Sequence, residues 1–410
     1  MTPLPCPCCG QFEFRTLLDL GSIPLSGFFF IPPPPPSKQA PLLLESCGAC
    51  NFVRKAKLPG AQRSYEFIDR DTVSQIPAYL DNILNGILFR VSPSSLVVEI
   101  GSNDGSFLQI LRQKGYHNFI GVEPSQHLAA KATKNGVKTY STYFNIDTSQ
   151  TITRAHGKAD IIICRHTLEH IPDPLSFLQA CGSLLSSGGT IYLECPDSIT
   201  LFHQHRIHEI WDEHENYFTR KTMEMILQKS GFGDIHIERN VNRDAINLCI
   251  WAKLAPPKDS NFSEDATSDR TDLFLFPQSF TDIRSYAQKL INASSQPVYV
   301  IGAGHCQVNY LLYTGIGNRV KALVDDAAWK FGKQTWVPTP CPVISTDQLI
   351  KEESSCQILA SGFPYPDWME KVRKARNGRG DIWLEPYPPP IELNVNLCQR
   401  PFGPTAKIKR

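Results

Sequence analysis

The sequence predicts an α/β protein: a central, doubly wound, Rossmann-like sheet, joined to a small cysteine-rich N-terminal module and a smaller α/β C-terminal module. Three observations lead there. Buried-strand and amphipathic-helix patterns alternate from Leu96 to about Leu254, two C-x-x-C pairs fall in a loop-rich first segment, and a second strand-to-glycine turn, PVYVIGAG, follows a polar stretch. The chain has 410 residues, 41 Lys plus Arg and 40 Asp plus Glu; a net charge of +1 supplies no field that would gather nucleic acid or an acidic membrane. No apolar run reaches the roughly 18 residues of a bilayer span, and MTPLPCPCCG lacks the basic start and apolar core of a secretory signal. The expectation is a cytoplasmic protein with neither a nucleic-acid nor a membrane partner, its oligomeric state left open. In a reducing compartment, 13 cysteines read as metal ligands where their spacing allows, not as a disulfide framework.

Residues 1–60 form the first module. Cys6 with Cys9 and Cys47 with Cys50 make two knuckles, each beside a glycine (Gly10, Gly48) that lets the chain curl toward the sulfurs. Four thiolates so arranged suit tetrahedral Zn²⁺ at about 2.3 Å. Four ordinary small apolar cysteines would not explain two matching pairs in a segment with so little core. A closed site of this kind holds structure and does no chemistry. Cys8, between the ligands, is expected to stand outside it, with competition with Cys9 for the metal as the alternative, and Pro32–Pro36 form a local spacer.

Residues 61–254 form the second module. Ser64 to Arg90 reads as helix, with Tyr79, Leu80, Ile83, Leu84, Ile87 and Leu88 on one face. Candidate strands are Leu96–Ile100, Phe119–Glu123, Ile161–Cys164 and Thr190–Glu194, with Ile235–Glu238 and Ala245–Trp251 closing the segment as an antiparallel edge. Residues 255–295 read as a polar linker, through Leu273, and a lead-in helix from Phe280 to Ala293. Residues 296–410 read as a Rossmann-like unit ending in an extended tail.

LVVEIGSNDGSFLQIL is a buried strand, an acidic residue, a glycine turn and an amphipathic helix. Gly101 and Gly105 let the backbone pass under a ligand, and the helix start offers free amides. The next strand ends at Glu123, where a carboxylate can take both hydroxyls of a ribose. This E-x-G-x-x-x-G turn with its following carboxylate resembles the S-adenosylmethionine site of class I methyltransferases. ADIIICRHTLEHIPDP and LLSSGGTIYLECP fit the same fold. The resemblance implies a cofactor-binding set of Glu99, Gly101, Ser102, Asn103, Gly105, Glu123 and Arg165.

Six of the eleven histidines lie between His166 and His214. His166 and His170 follow a strand whose carboxyl end should line the ligand crevice. Histidine removes protons near neutral pH, and His214 stands beside Glu213 among the aromatics Trp211, Tyr217 and Phe218. His214 is therefore the candidate base, with His170 or His166 as a second base or a substrate hydrogen-bond donor. His203 and His205 read as surface residues, and a metal site from His203, His205 and His208 has a poor spacing for one helical face.

CPCCG with LDLGSIPLSGFF and CGAC, VVEIGSNDGSFL, HTLEHIPDP, IWDEHENYF, and VYVIGAGHCQVNYLLYTGI with ALVDDAAWKFGKQ together resemble the sugar C-methyltransferases of deoxysugar biosynthesis. The resemblance implies S-adenosylmethionine and structural zinc as cofactors and a nucleotide-linked keto sugar as substrate, methylated at the carbon next to the ketone through an enolate. It assigns proton removal to Glu213 and His214; an enolate formed there would need a donor such as His170 or Tyr217 at its oxygen. The resemblance places Gly302 and Gly304 near the substrate's phosphate, while His166 is a substrate-contact candidate from its position at the strand end. GAGHCQ lacks a third glycine, so no dinucleotide is expected in the C-terminal module. Methylation of oxygen or nitrogen on another metabolite, and an inactive zinc-containing binding protein, are the competing readings.

Overall fold

The computed structural model describes residues 4–57, 80–242, 245–255, 268–360 and 366–387. The chain divides into two compact units, each assembled from discontinuous segments. The first takes Met1–Thr16, Leu44–Ser198 and Glu213–Ala266; the second takes Leu17–Leu43, Ile199–Asp212 and Thr267–Arg410.

The early strands are β1 (Phe14–Pro24), β2 (Gln39–Cys47) and β3 (Val53–Lys55). The first part of the predicted helix from Ser64 lies outside the described residues. Its remainder is α1 (Leu80–Arg90), which buries Leu80, Ile83, Leu84 and Ile87. Then follow β4 (Val97–Ile100), α2 (Ser106–Gln113), β5 (Phe119–Val122), α3 (Gln126–Lys134), β6 (Thr139–Tyr140), α4 (Ile146–His156), β7 (Ala159–Arg165), α5 (Pro174–Leu184) and β8 (Leu185–Pro196). After α6 (Ser198–His203) come β9 (Asn216–Tyr217), α7 (Arg220–Lys229), β10 (Phe232–Asn242) and β11 (Ala245–Leu254).

Seven strands form the sheet of the first unit in the order β10-β11-β8-β7-β4-β5-β6. Pairing is parallel from β8 to β6, and β11 and β10 add the expected antiparallel edge. Each central strand is buried on both faces. Ile162 and Cys164 join the cluster that includes Phe177 and Leu178 of α5, while Ile161 and Ile163 join the one that includes Phe107, Leu108 and Leu111 of α2. Each such isoleucine contributes about 1.5–3 kcal/mol by leaving water. The chain leaves β4 toward β5 and later returns on the other side as β7, so the ends of β4 and β7 form the switch point at which open sheets bind ligands. In the same unit, β3 pairs antiparallel with Leu44–Ser46 of β2 on one side and with β9 on the other.

The second unit holds α8 (Ser268–Asn292), β12 (Val298–Ile301), α9 (His305–Thr314), β13 (Val320–Val324), β14 (Gln334–Trp336), β15 (Pro340–Ile344), α10 (Thr346–Lys351), β16 (Gln357–Leu359), α11 (Pro366–Ala375) and β17 (Ile382–Leu384). Its sheet runs β14-β15-β13-β12-β16-β17, parallel except at β14. Helix α8 starts at Ser268, inside the stretch predicted as linker; residues 256–267 and the tail from Pro388 lie outside the described residues. Among the described residues no helix is long and apolar enough to cross a membrane.

Candidate active site

Strand β4 runs into Gly101, whose φ of 73° opens the turn. A Cβ at Gly101 would stand 2.2 Å from Thr167 Oγ1, so only glycine permits this approach. The Gly101 and Ser102 amides donate to the Val122 carbonyl at 2.8 and 3.2 Å. Asn103 holds the next left-handed position, φ 52°, which asparagine tolerates better than most residues. Its amide donates to Glu123 Oε2 at 3.0 Å, and the Ser125 amide donates to Glu123 Oε1 at 2.9 Å. The Glu123 carboxylate is thereby oriented at the end of β5.

Glu99, 4% exposed on β4, has one carboxylate oxygen without a hydrogen-bond partner. Burial raises its pKa to about 8; nearby Arg165 opposes this, while Glu123 and Asp104 add to it. Ser102 Oγ is likewise buried and unpartnered. Orphaned polar atoms beneath a glycine turn fit a polar, cationic ligand, and S-adenosylmethionine is one.

At the end of β7, Arg165 donates to Glu194 Oε2 at 2.9 Å and lies over the Phe107 ring. His166, φ 47°, stands 3.6 Å from Glu169 Oε1 and 3.5 Å from Glu194 Oε1. Crowding by protein would favour the neutral ring, but the two carboxylates outweigh it and move the pKa up. Because the side chain is 42% exposed, water screens these pairs and the direction matters more than the size. Glu194 responds in the opposite sense: burial would raise its pKa, but His166 and Arg165 hold it down at about 2. The two carboxylates thus favour the protonated, donating form of His166.

His170, in the short turn Leu168–His170, is 8% exposed, with Nδ1 3.0 Å from the Glu213 carbonyl oxygen. A carbonyl only accepts, so Nδ1 carries the hydrogen and, in the neutral ring, Nε2 carries the lone pair. The His170 and His214 rings lie 4.9 Å apart at 71°, and His214 meets the Tyr217 ring at 5.9 Å. The Glu215 amide donates to the Glu169 carbonyl, Asn216 Nδ2 to the Ile171 carbonyl, and Lys55 pairs with Glu215, so the His214 segment is clipped onto this turn. Glu213 is 2% exposed and touches His170 through its backbone. Glu169 and Glu194 escaped the sequence reading, although Glu169 lies three residues after His166 in HTLEH and Glu194 lies near the end of β8 in YLECP.

His203, His205, His208, Trp211, Gly302 and Gly304 fall in the second unit. His205 is 1% exposed and stacks on Phe276, which corrects the surface reading; burial lowers its pKa to about 4, with His203 adding to the effect. His208 is buried against the Tyr387 hydroxyl, and burial keeps its ring neutral. His203, His205 and His208 form no donor cluster among the described residues. Trp211, expected to wall the His214 site, stacks on His305 at 4.2 Å and 12°. Gly302 and Gly304 line a crevice of about 390 Å³ with Asp325, Lys330 and Trp368. Gln307 folds over this turn and accepts the Gly304 amide at 3.1 Å, while Asp325 takes Lys330 and the Ala303 and Ala327 amides.

In the first unit, Cys6 Sγ lies 3.6 Å from Cys50 Sγ and Cys9 Sγ lies 3.5 Å from Cys47 Sγ, with all four sulfurs within 4.8 Å of one another. Ligands at about 2.3 Å from a tetrahedral ion stand roughly 3.7 Å apart, so the four thiols fit zinc. Cys8 is not among them; its thiol donates to the Thr222 carbonyl.

Residues 73–237 match the family described as a methyltransferase domain. The chain carries a methyltransferase domain. Over 243 residues it is 27% identical to the C-methyltransferase NovU of Streptomyces niveus, covering 56% of this chain and 57% of that protein. Over 104 residues it is 30% identical to the ubiquinone biosynthesis O-methyltransferase of Erwinia tasmaniensis, covering 23% and 40%. The chain therefore spans a little over half the length of the first of these relatives and two fifths of the second. A SAM-dependent methyltransferase structure from Archaeoglobus fulgidus aligns at 18% identity and a TM-score of 0.36, over 43% of this chain and 93% of that one. The glycine turn, Glu123, His166 and His170 all belong to the methyltransferase domain, as does His214.

Proposed function

We propose that the protein is an S-adenosylmethionine-dependent C-methyltransferase that alkylates the carbon beside the ketone of a nucleotide-linked keto-deoxysugar. The observation that carries this reading is the pair of adjacent imidazoles, His170 and His214, held beside the turn whose Thr167 abuts Gly101. Gly101, Ser102, Asn103 and Gly105 would cradle the cofactor, Glu123 would take its ribose, and Glu99 and Arg165 would set the charge beneath it. The cofactor supplies an electrophilic methyl group on a sulfonium.

A carbon acid needs a base before it can attack. His214 takes the proton, beside Glu213, and leaves an enolate. His170 cannot donate from Nε2 until it has itself gained a proton, so Tyr217 is the donor that faces the enolate oxygen. His166, held as a cation, supplies a donor to substrate. Holding the two carbons about 3–3.5 Å apart does the rest. A role for Gly302 and Gly304 beside the substrate's phosphate requires Gln307 to leave the Gly304 amide. The four-cysteine zinc site keeps a structural role.

His214→Asn is expected to bind cofactor normally and to lose transfer by about a hundredfold or more; transfer at the wild-type rate would remove His214 from the base role. The likeness to O-methyltransferases over 104 residues favours a second reading, methylation of oxygen. Solvent deuterium entering the acceptor carbon without cofactor separates the two, since only the enolate route exchanges that hydrogen. Failure of S-adenosylmethionine to raise the melting temperature would favour an inactive binding protein instead.

A further inference from the structure

The turn that carries Glu169 and His170 and the segment that carries His214 bring together three donors of a kind that metals take. We propose that Glu169, His170 and His214 form a three-ligand site for a divalent transition metal, and that a metal held there blocks methyl transfer. One carboxylate oxygen and one ring nitrogen of each histidine lie within 4.8 Å of one another. Ligands at about 2.0–2.2 Å stand roughly 3.4 Å apart around a tetrahedral ion, so small side-chain rotations close the remainder.

Two further observations point to a cation. Glu169 is 3% exposed and its Oε2 is buried with no hydrogen-bond partner. A carboxylate oxygen in that position is costly to leave unpaired, and a cation supplies the missing partner. The hydrogen bond from His170 Nδ1 to the Glu213 carbonyl fixes the tautomer that leaves the ring's lone pair on Nε2, and a hydrogen bond of this kind is how ligating histidines are usually oriented. Two imidazoles and one carboxylate select zinc, cobalt or nickel over magnesium or calcium, and three protein ligands leave a coordination position open. Inhibition rests on the proposed function: a ring nitrogen bonded to metal has no lone pair left to take the proton.

The test uses the full chain with its cysteine site already loaded with zinc, titrated with Co²⁺. One further equivalent is expected, with the visible bands of nitrogen- and oxygen-ligated cobalt and without the thiolate charge-transfer band of a cysteine site. Glu169→Gln and His170→Gln should each weaken that equivalent about tenfold or more, while unchanged S-adenosylmethionine affinity shows that the variants are folded. Transfer should fall as the equivalent fills and recover with a mild chelator that leaves the cysteine-bound zinc in place. No second equivalent, or one that survives both substitutions, overturns the site. A second equivalent that both variants lose, with transfer unaffected in the wild type, leaves the site standing and removes the inhibition together with the base role of His214.

Discussion

Buried under the glycine turn, Glu99 couples protonation to both folding and ligand binding. Its pKa rises from 4.5 to about 8, chiefly through burial. A carboxyl raised on folding contributes fully below its unfolded value and loses that contribution as pH climbs through the folded one. The loss between pH 5 and pH 9 has an upper bound of about 4 kcal/mol, and relaxation of the site reduces it. Glu99→Gln should therefore gain on the wild type as pH rises; melting temperatures at pH 5 and pH 9 that differ equally for the two proteins would contradict this. A cation arriving over Glu99 favours the carboxylate, so S-adenosylmethionine binding near pH 7 should release a proton. Calorimetric heats should then differ between phosphate and Tris buffers for the wild type and agree for the variant.

Elements locate these residues through geometry that one methyl group can probe. Gly101→Ala forces a Cβ to within 2.2 Å of Thr167 Oγ1 at φ 73°, whereas Gly188, φ 80°, has nothing within 4 Å of an added Cβ. Left-handed backbone alone costs about 1–2 kcal/mol. Urea unfolding should show that cost for Gly188→Ala and a larger one for Gly101→Ala, and only the latter should weaken cofactor binding, by about tenfold. Equal effects on binding would separate Gly101 from the cofactor. The strands that carry this turn were legible because VVEI, FIGV and IIIC are short apolar runs buried on both faces. Strands β6 and β9, two residues each, leave no such pattern, and the start of α8 lies in polar sequence that composition alone assigns to a linker. The burial of His205 depends on Phe276, distant in sequence, which no local spacing announces.

At the scale of the whole molecule, neither unit is one stretch of chain, and this interleaving was the least legible feature, since residues 17–43 and 199–212 carry no sign of the unit they join. The cysteine site is one of the ties between two of the first unit's segments, beside the Gly48 amide on the Glu13 carbonyl and Arg54 over the Phe14 ring. Cys6 and Cys50 are 44 residues apart in sequence, Cys9 and Cys47 are 38 apart, and most of the intervening chain belongs to the second unit. A cross-link closing a loop of that length stabilises by on the order of 4 kcal/mol. Its effect should reach the chemistry, because the chain passes from Cys50 into β3, β3 pairs through Val53 and Arg54 with Tyr217 and Asn216, and the Lys55 amide donates to the Glu215 carbonyl. With zinc loaded on the four thiols, its removal by a strong chelator, or Cys47→Ser, should raise hydrogen exchange at Asn216 and Tyr217 and depress transfer while S-adenosylmethionine still binds, since the glycine turn rests on β4 and β5. If those two amides keep their protection after a metal loaded on the four thiols is stripped away, the cysteine site stabilises only its own loops and the path from Cys50 to His214 carries nothing.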